Sequence, residues 1–361
     1  MSMLLRTLSV LGVSILTATT ALATEPPAAP SPAVSPPLRI VAVGDIMLDG
    51  TARPVLSQNG YDYPFVRVKP LLAGAAVVFG NLEGPLTDRG NPEQDKTYVF
   101  RTPPAPASRA LHNAGFNVVS LANNHTLDFG AEGLAQTMEA LDAAGIAHAG
   151  AGANLSEARR PVLIEAAGKR VAILAYSVTL PEHFYAEADK AGTAFAHEAH
   201  VRADVTAARR QADIVLVSFH WGQEGKTVLR DYQTQLGHAA IDAGAAAVVG
   251  HHPHILQGIE RYRDGVILYS LGNFTFGSYS KDAQVSAVAE LEFDGNRVRT
   301  LRLTPINVNN FEVEFQPVPL QGEAADRVVA TLTELSALRH TTIDNESGRA
   351  VLHLSAAAAA R

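Results

Sequence analysis

Val118–Gly130 reads VVSLANNHTLDFG, and the fold turns on what this stretch is. Its first residues are apolar and two are β-branched, the composition of a short buried strand. The run breaks at Asn123-Asn124-His125, so a polar cluster stands where a strand should end, and Asp128 follows three residues after the imidazole. At the carboxyl ends of strands in an open α/β sheet, loops can present side chains from several strands to one crevice. Taken alone, the stretch is equally a strand entering an Asx-rich helix cap, with His125 satisfied in the turn. Recurrence separates the two readings, because four more apolar runs in this chain end on residues able to bind a metal or a phosphate.

Upstream, Leu38–Val43 is a strand expected to stop at Gly44-Asp45, where Asp45 could instead cap the next helix. Ala75–Phe79 is a second, closed by Gly80-Asn81-Leu82-Glu83-Gly84, a tight turn able to aim an amide and a carboxylate the same way. The loop 86–107 carries Arg101, suited to a bidentate grip on an anionic substrate group but equally readable as a solvated charge. Downstream, Leu134, Met138 and Leu141 share one helix face and read as core. AGAGA at 149–153 lacks dinucleotide spacing and is a turn. His183, His197 and His200 lie in a polar stretch and read as surface residues.

The strand 213–219 delivers His220, with the lone Trp221 packing beside it. Ala245–Val249 ends in Gly250-His251-His252-Pro253-His254, and three imidazoles in four residues are hard to read as core filling. Neutral imidazoles are common metal ligands, and the proline fixes a turn that splays His252 and His254. After the strand 266–270, Asn273 supports the site or simply packs. From Gln284 the alternation gives a hairpin turning at Asp294-Gly295-Asn296, then a helix near 323–338 and an Ala-rich tail.

Composition bounds the rest. The chain has 361 residues, 47% of them hydrophobic, enough for one large globular domain. Residues 1–23 carry one charge, Arg6, then an apolar run and Ala21-Leu22-Ala23, the pattern of a signal peptide cleaved after Ala23. The mature chain is then periplasmic or secreted, without a transmembrane segment; an uncleaved N-terminal membrane anchor is the alternative. Residues 24–37 form a Pro/Ala-rich linker, 38–320 the main domain, and 321–361 a C-terminal helix and tail. Without Arg6 the net charge falls from −7 to −8, so nothing favours a nucleic-acid partner. There is no cysteine, so any metal is held by His, Asp, Glu and Asn.

Collected, the strand-end residues are Asp45, Asn81 and Glu83, Asn124 and His125, His220, and His252 and His254. Carboxylates, amides and imidazoles in these numbers suit two divalent cations, Mn, Fe or Zn, roughly 3.5–4 Å apart, which bind phosphate oxygens and make hydroxide available near pH ~7. Asp128 can orient His125 and raise its pKa, making it a general acid. No serine or cysteine elbow is present.

The ordered motifs GDIML, NLEGPLT, FRTPP, SLANNHTLDFG, HWGQE, GHHPHILQGIE and YSLGNFTF, between about residues 38 and 280, resemble the CapA-type capsule-synthesis, or poly-γ-glutamate synthesis, family. That family is related to calcineurin-like metallophosphoesterases. The resemblance implies an α/β fold, a metallophosphoesterase-like four-layer α-β-β-α sandwich. It implies metal ligands at Asp45, Glu83 (bridging), Asn124, His220, His252 and His254, with His125 and Asp128 catalytic and His251 behind the ligands. Asn81, Arg101 and Asn123 are expected to contact substrate. One departure stands out: where the parent superfamily has Asp-x-His, this chain has Asp45-Ile46-Met47, one imidazole short. The function implied is an exported metal-dependent hydrolase acting on an anionic polymer or phosphoester, alongside envelope polymer synthesis machinery. The alternatives are a non-catalytic polymer-binding or export component, and a γ-glutamyl amide hydrolase.

Overall fold

The computed structural model describes Ser9, residues 11–15 and residues 37–354. The expected signal peptide and linker therefore lie almost wholly outside the described residues, as does the tail after Leu354. The chain divides into Met1–Ser35 and Pro36–Arg361, and the few described residues of the first unit form no helix or strand. Among the described residues, no helix is long and apolar enough to cross a membrane.

Two large sheets, with a two-stranded one of Ala151–Gly152 and Gly192–Thr193, make the second unit among the described residues. In the first, the neighbours run Asp344–Glu346, Arg349–His353, Arg297–Asn307, Val285–Asp294, Arg39–Met47, Val77–Leu82, Val118–Ser120 and Ala147–Ala149. In the second they run Ile259–Tyr262, Gly265–Leu268, Ala247–His251, Ile214–His220, Lys169–Ser177 and Val162–Ala166. The period of two in each strand sorts the side chains between layers. Ile40, Ala42, Val77 and Phe79 of the first sheet meet Ile173, Ile214, Leu216 and Val249 of the second in one core. The alternate residues Val41, Val43, Val78 and Val119 face outward against Leu56, Leu111, Leu134 and Leu141 of the helices Arg53–Asn59, Pro104–Ala114 and Gly130–Ala143. Val215, Val217 and Val248 do the same against Val201, Val205 and Leu236 of Glu198–Ala208 and Asp231–Asp242. Each fully buried aliphatic side chain stabilises by roughly 1.5–3 kcal/mol, so strands apolar on both faces fit only a helix-sheet-sheet-helix stack. The expected four-layer α-β-β-α sandwich is the fold.

Two expectations are corrected. The first strand does not stop at Gly44; it continues to Met47 because, after a register shift, Asp45–Met47 pair with Asn273–Phe276. Gly44 is required there, since a Cβ would lie 1.8 Å from the Gly272 carbonyl oxygen. The second strand likewise does not end in a turn at Gly80, because Gly80, Asn81 and Leu82 continue it between the first strand and Val118–Ser120. Val328, Val329 and Leu332 of the helix Gly322–Ala337 enter the core between the sheets, and Arg349–His353 pairs with Arg297–Asn307.

Candidate metal centre

The parallel strands of both sheets end at one edge, and their tips converge. Asp45, Asn81 and Glu83 come from the first sheet, with Asn123–His125 in the turn after Val118–Ser120; His220 and the Gly-His-His-Pro-His turn come from the second. Residues 269–272 carry the chain from the second sheet to the first and set Asn273 opposite Asp45. Two sets of ligand atoms cluster within 4.8 Å: Asp45, Glu83 and His220, and Glu83, His252 and His254. Glu83 belongs to both.

Asp45 is encircled. Asn81 Nδ2 donates to its Oδ1 at 2.8 Å and the His252 backbone N–H to its Oδ2 at 3.1 Å. His251 Nδ1 and His254 Nδ1 stand 3.5 and 3.3 Å from the two oxygens. Burial pushes the Asp45 carboxyl up, but the close approach of these two imidazoles outweighs it and holds the group well below the usual carboxylate range. Glu83 goes the other way: burial, then the charge of Asp45, push it well above. Burial disfavours the His254 imidazolium, yet Glu83 and Asp45 overcome it and raise the group to about 10. Burial and then the charge of His254 lower His252 to about 3, and burial followed by His252 pushes His220 well down. The His254 imidazolium therefore faces the buried Asp45 carboxylate, while burial keeps the His252 and His220 rings neutral.

The donor set fits divalent cations. Glu83 Oε1 and His252 Nδ1 are buried and have no hydrogen-bond partner, although each faces the cluster's other donors, and leaving buried polar atoms unpaired is unfavourable. Oxygen and imidazole donors without thiolate suit Mn, Fe or Zn. His254 is held by Asn273, whose Oδ1 lies 2.9 Å from Nδ1, so the ring directs Nε2 towards Glu83 Oε1 at 3.8 Å. Both His252 and His254 adopt positive φ, 93° and 60°, a backbone cost of about 1–3 kcal/mol each that marks a constrained turn. Asn124 Oδ1 accepts from His220 Nε2 at 2.7 Å, which places the amide at the second sheet's first imidazole.

His125 and Asp128 are joined, Nδ1–H donating to Oδ2 at 2.7 Å. The expected upward shift of His125 does not follow: burial lowers it by more than Asp128 raises it, and Lys96 adds to the lowering. Lys96, which the sequence reading missed, donates to the Asn124 carbonyl and to Asp128 Oδ1, 3.1 Å from His125 Nδ1. A lone lysine in a polar loop gave no local signal. Asn81 and Asn123, expected at the substrate, are instead buried and saturated. Asn123 Nδ2 donates to Leu82 O and Asn81 Oδ1 at 2.8 and 3.1 Å, and its Oδ1 accepts from the His125 backbone N–H at 3.0 Å. Arg101 does not join the cluster; its guanidinium lies over the Phe129 ring at 4.9 Å. His251, expected behind the ligands, is fully buried with neither ring nitrogen hydrogen-bonded.

At the carboxyl edge of the two large sheets, a carboxylate common to two groups of side chains offers donors that could hold divalent cations. Residues 39–278 match the model of the bacterial capsule synthesis protein family PGA_cap, and the chain belongs to that family. It is 32% identical to the capsule biosynthesis protein CapA of Bacillus anthracis over 82% of this chain and 73% of that protein. It is likewise 32% identical to the PGA biosynthesis protein CapA of Bacillus subtilis, over 78% and 73%. Among solved structures, the Haemophilus influenzae NAD nucleotidase is similar at a TM-score of 0.46 and 13% identity, covering 82% of this chain and 56% of that one.

Proposed function

We propose that this chain is an exported hydrolase, dependent on two divalent metal ions, that acts on phosphoester or related bonds in capsule or poly-γ-glutamate metabolism. One observation carries the reading: Glu83 is common to both ligand clusters, and its Oε1 is buried without a partner. Asp45, Glu83 and His220, with Asn124 beside them, would hold one ion, and Glu83, His252 and His254 the other. The bound ions would supply Lewis acidity towards a phosphoryl or acyl oxygen and make hydroxide available near neutral pH.

This chain's own residues do the rest. Asp128 fixes the His125 ring through Nδ1, leaving Nε2, which has no partner among the described residues, to move a proton at the leaving oxygen. Lys96 clamps Asp128 and the Asn124 carbonyl, so the proton-moving ring and the amide shift as one body. The Phe100 ring packs tilted against the His125 ring, centroids 4.8 Å apart, and covers that side of it. The attacked bond could equally be a γ-glutamyl amide, since the same groups serve a carbonyl.

A non-catalytic polymer-binding role is favoured by one residue: Met47, which stands where the parent superfamily has an imidazole, and whose Sδ accepts from the Asp49 backbone N–H at 3.3 Å. Metal content per chain, followed by turnover of aryl phosphate esters before and after chelation, separates the two. Two metals with turnover lost on chelation are expected. Turnover unaffected by chelation, or none with both metals bound, overturns the hydrolase reading.

A further inference from the structure

A cavity of about 300 Å³ is lined by Arg53, Ser57, Tyr61, Thr87, Asp88 and Arg101 among others. Its charges are arranged unusually for a protein of net charge −7. Arg53 on its wall grips the buried carboxylate of Asp49 bidentately, Nε and Nη2 donating at 2.6 and 2.9 Å. The same carboxylate accepts from the Arg101 backbone N–H at 2.8 Å and so fixes where the Arg101 side chain starts. Arg53 keeps Nη1 free for a ligand. Among the described residues the Arg101 guanidinium makes no ion pair or hydrogen bond; it lies 4.9 Å from the centroid of the Phe129 ring. Asp88, the opposing charge on the wall, has Oδ1 engaged by Gln136 Nε2 at 2.6 Å. An unpaired guanidinium that lines one cavity with a second guanidinium keeping a spare donor can grip an oxyanion.

We infer that the Arg53–Arg101 cavity is a subsite for a carboxylate of an acidic polymer whose neighbouring segment lies at the metal centre. The inference rests on the reading above for the identity of the polymer, and on its own geometry for the site. Chain connectivity links the two places: Arg101 directly follows Phe100, whose ring covers His125 and whose backbone N–H donates to Asp128 at 2.8 Å. A polymer bearing a carboxylate on each repeat can set one there while a neighbouring linkage faces His125.

The test is calorimetric titration of a γ-linked oligoglutamate into the mature protein, Arg101→Gln, Arg101→Lys and Asp88→Asn, with metal content measured on each. Arg101→Gln is expected to weaken binding about tenfold, roughly 1.4 kcal/mol. Arg101→Lys should recover part of that, because a point charge lacks the fork, and Asp88→Asn should tighten binding by removing a like charge. Metal content should be unchanged in all three. Equal affinity of Arg101→Gln and the parent, or no binding by the parent, overturns the subsite. If binding depends on Arg101 while neither metal nor turnover is found, the subsite stands and the hydrolase reading falls.

Discussion

Replacing Glu83 by glutamine should reverse the sign of its effect on stability when metal is added. Glu83 is fully buried, faces the Asp45 carboxylate and has one oxygen without a partner. An unsatisfied buried acceptor costs about 1–3 kcal/mol, more when charged, so without metal Glu83→Gln should be as stable as the parent or up to ~3 kcal/mol more stable. Saturating one site at a hundred times its Kd stabilises by about 2.7 kcal/mol, hence about 5.4 for two. For the roughly 320 described residues of the second unit, an unfolding entropy of about 2.1 cal/mol/K per residue converts this to a rise in Tm of ~8 °C. Because Glu83 is shared, the variant should lose most of that rise rather than half. Differential scanning calorimetry of chelator-stripped protein, with and without Mn or Zn, reads both quantities. A variant less stable than the parent without metal, yet showing the full rise with it, would refute the shared-ligand argument.

Four further outcomes follow from the geometry. His252→Ala should bind fewer metals per chain by elemental analysis while its circular dichroism is unchanged, since the ring contributes ligand atoms and little packing. Asn273→Ala should weaken metal binding about 10–100-fold in a competition titration, with Asn273→Asp retaining most of it because an oxygen still accepts from His254 Nδ1. Lys96→Met leaves the buried Asp128 short of its cation and should cost about 3 kcal/mol in denaturant unfolding, with Lys96→Arg intermediate. Leu332→Ala, at a fully buried position of the C-terminal helix, should cost about 2–5 kcal/mol, and truncation after Leu320 should prevent cooperative unfolding.

Arg101 shows how far a motif can be read locally. The residue type allowed an anion grip or a plain solvated charge, and only the structure places it over Phe129 in a cavity apart from the imidazoles. Asn81 and Asn123 show the converse, since amides beside ligand residues looked like substrate contacts and are consumed in holding the turns to each other.

What the sequence by itself determined is what short-range physics encodes. Continuous apolar runs became the central strands, alternating ones the hairpin after Gln284, and histidine and carboxylate types suggested a metal chemistry before any fold was known. The match over residues 39–278 follows from those same local patterns. What only the tertiary structure decided is which of these ends meet. Asp45 and the His252 amide lie 207 residues apart, and no local periodicity encodes their hydrogen bond. The extension of the first strand to Met47, the sharing of Glu83 and the grip of Asn273 on His254 all depend on one crossing between sheets at residues 269–272. The closure of the core by Val328, Val329 and Leu332 likewise depends on an inter-sheet gap that exists only once both sheets have formed. The direction of the His125 shift depends on burial, which is a property of the packed molecule: desolvation grows with the surrounding protein, and there it exceeds the pull of a single carboxylate.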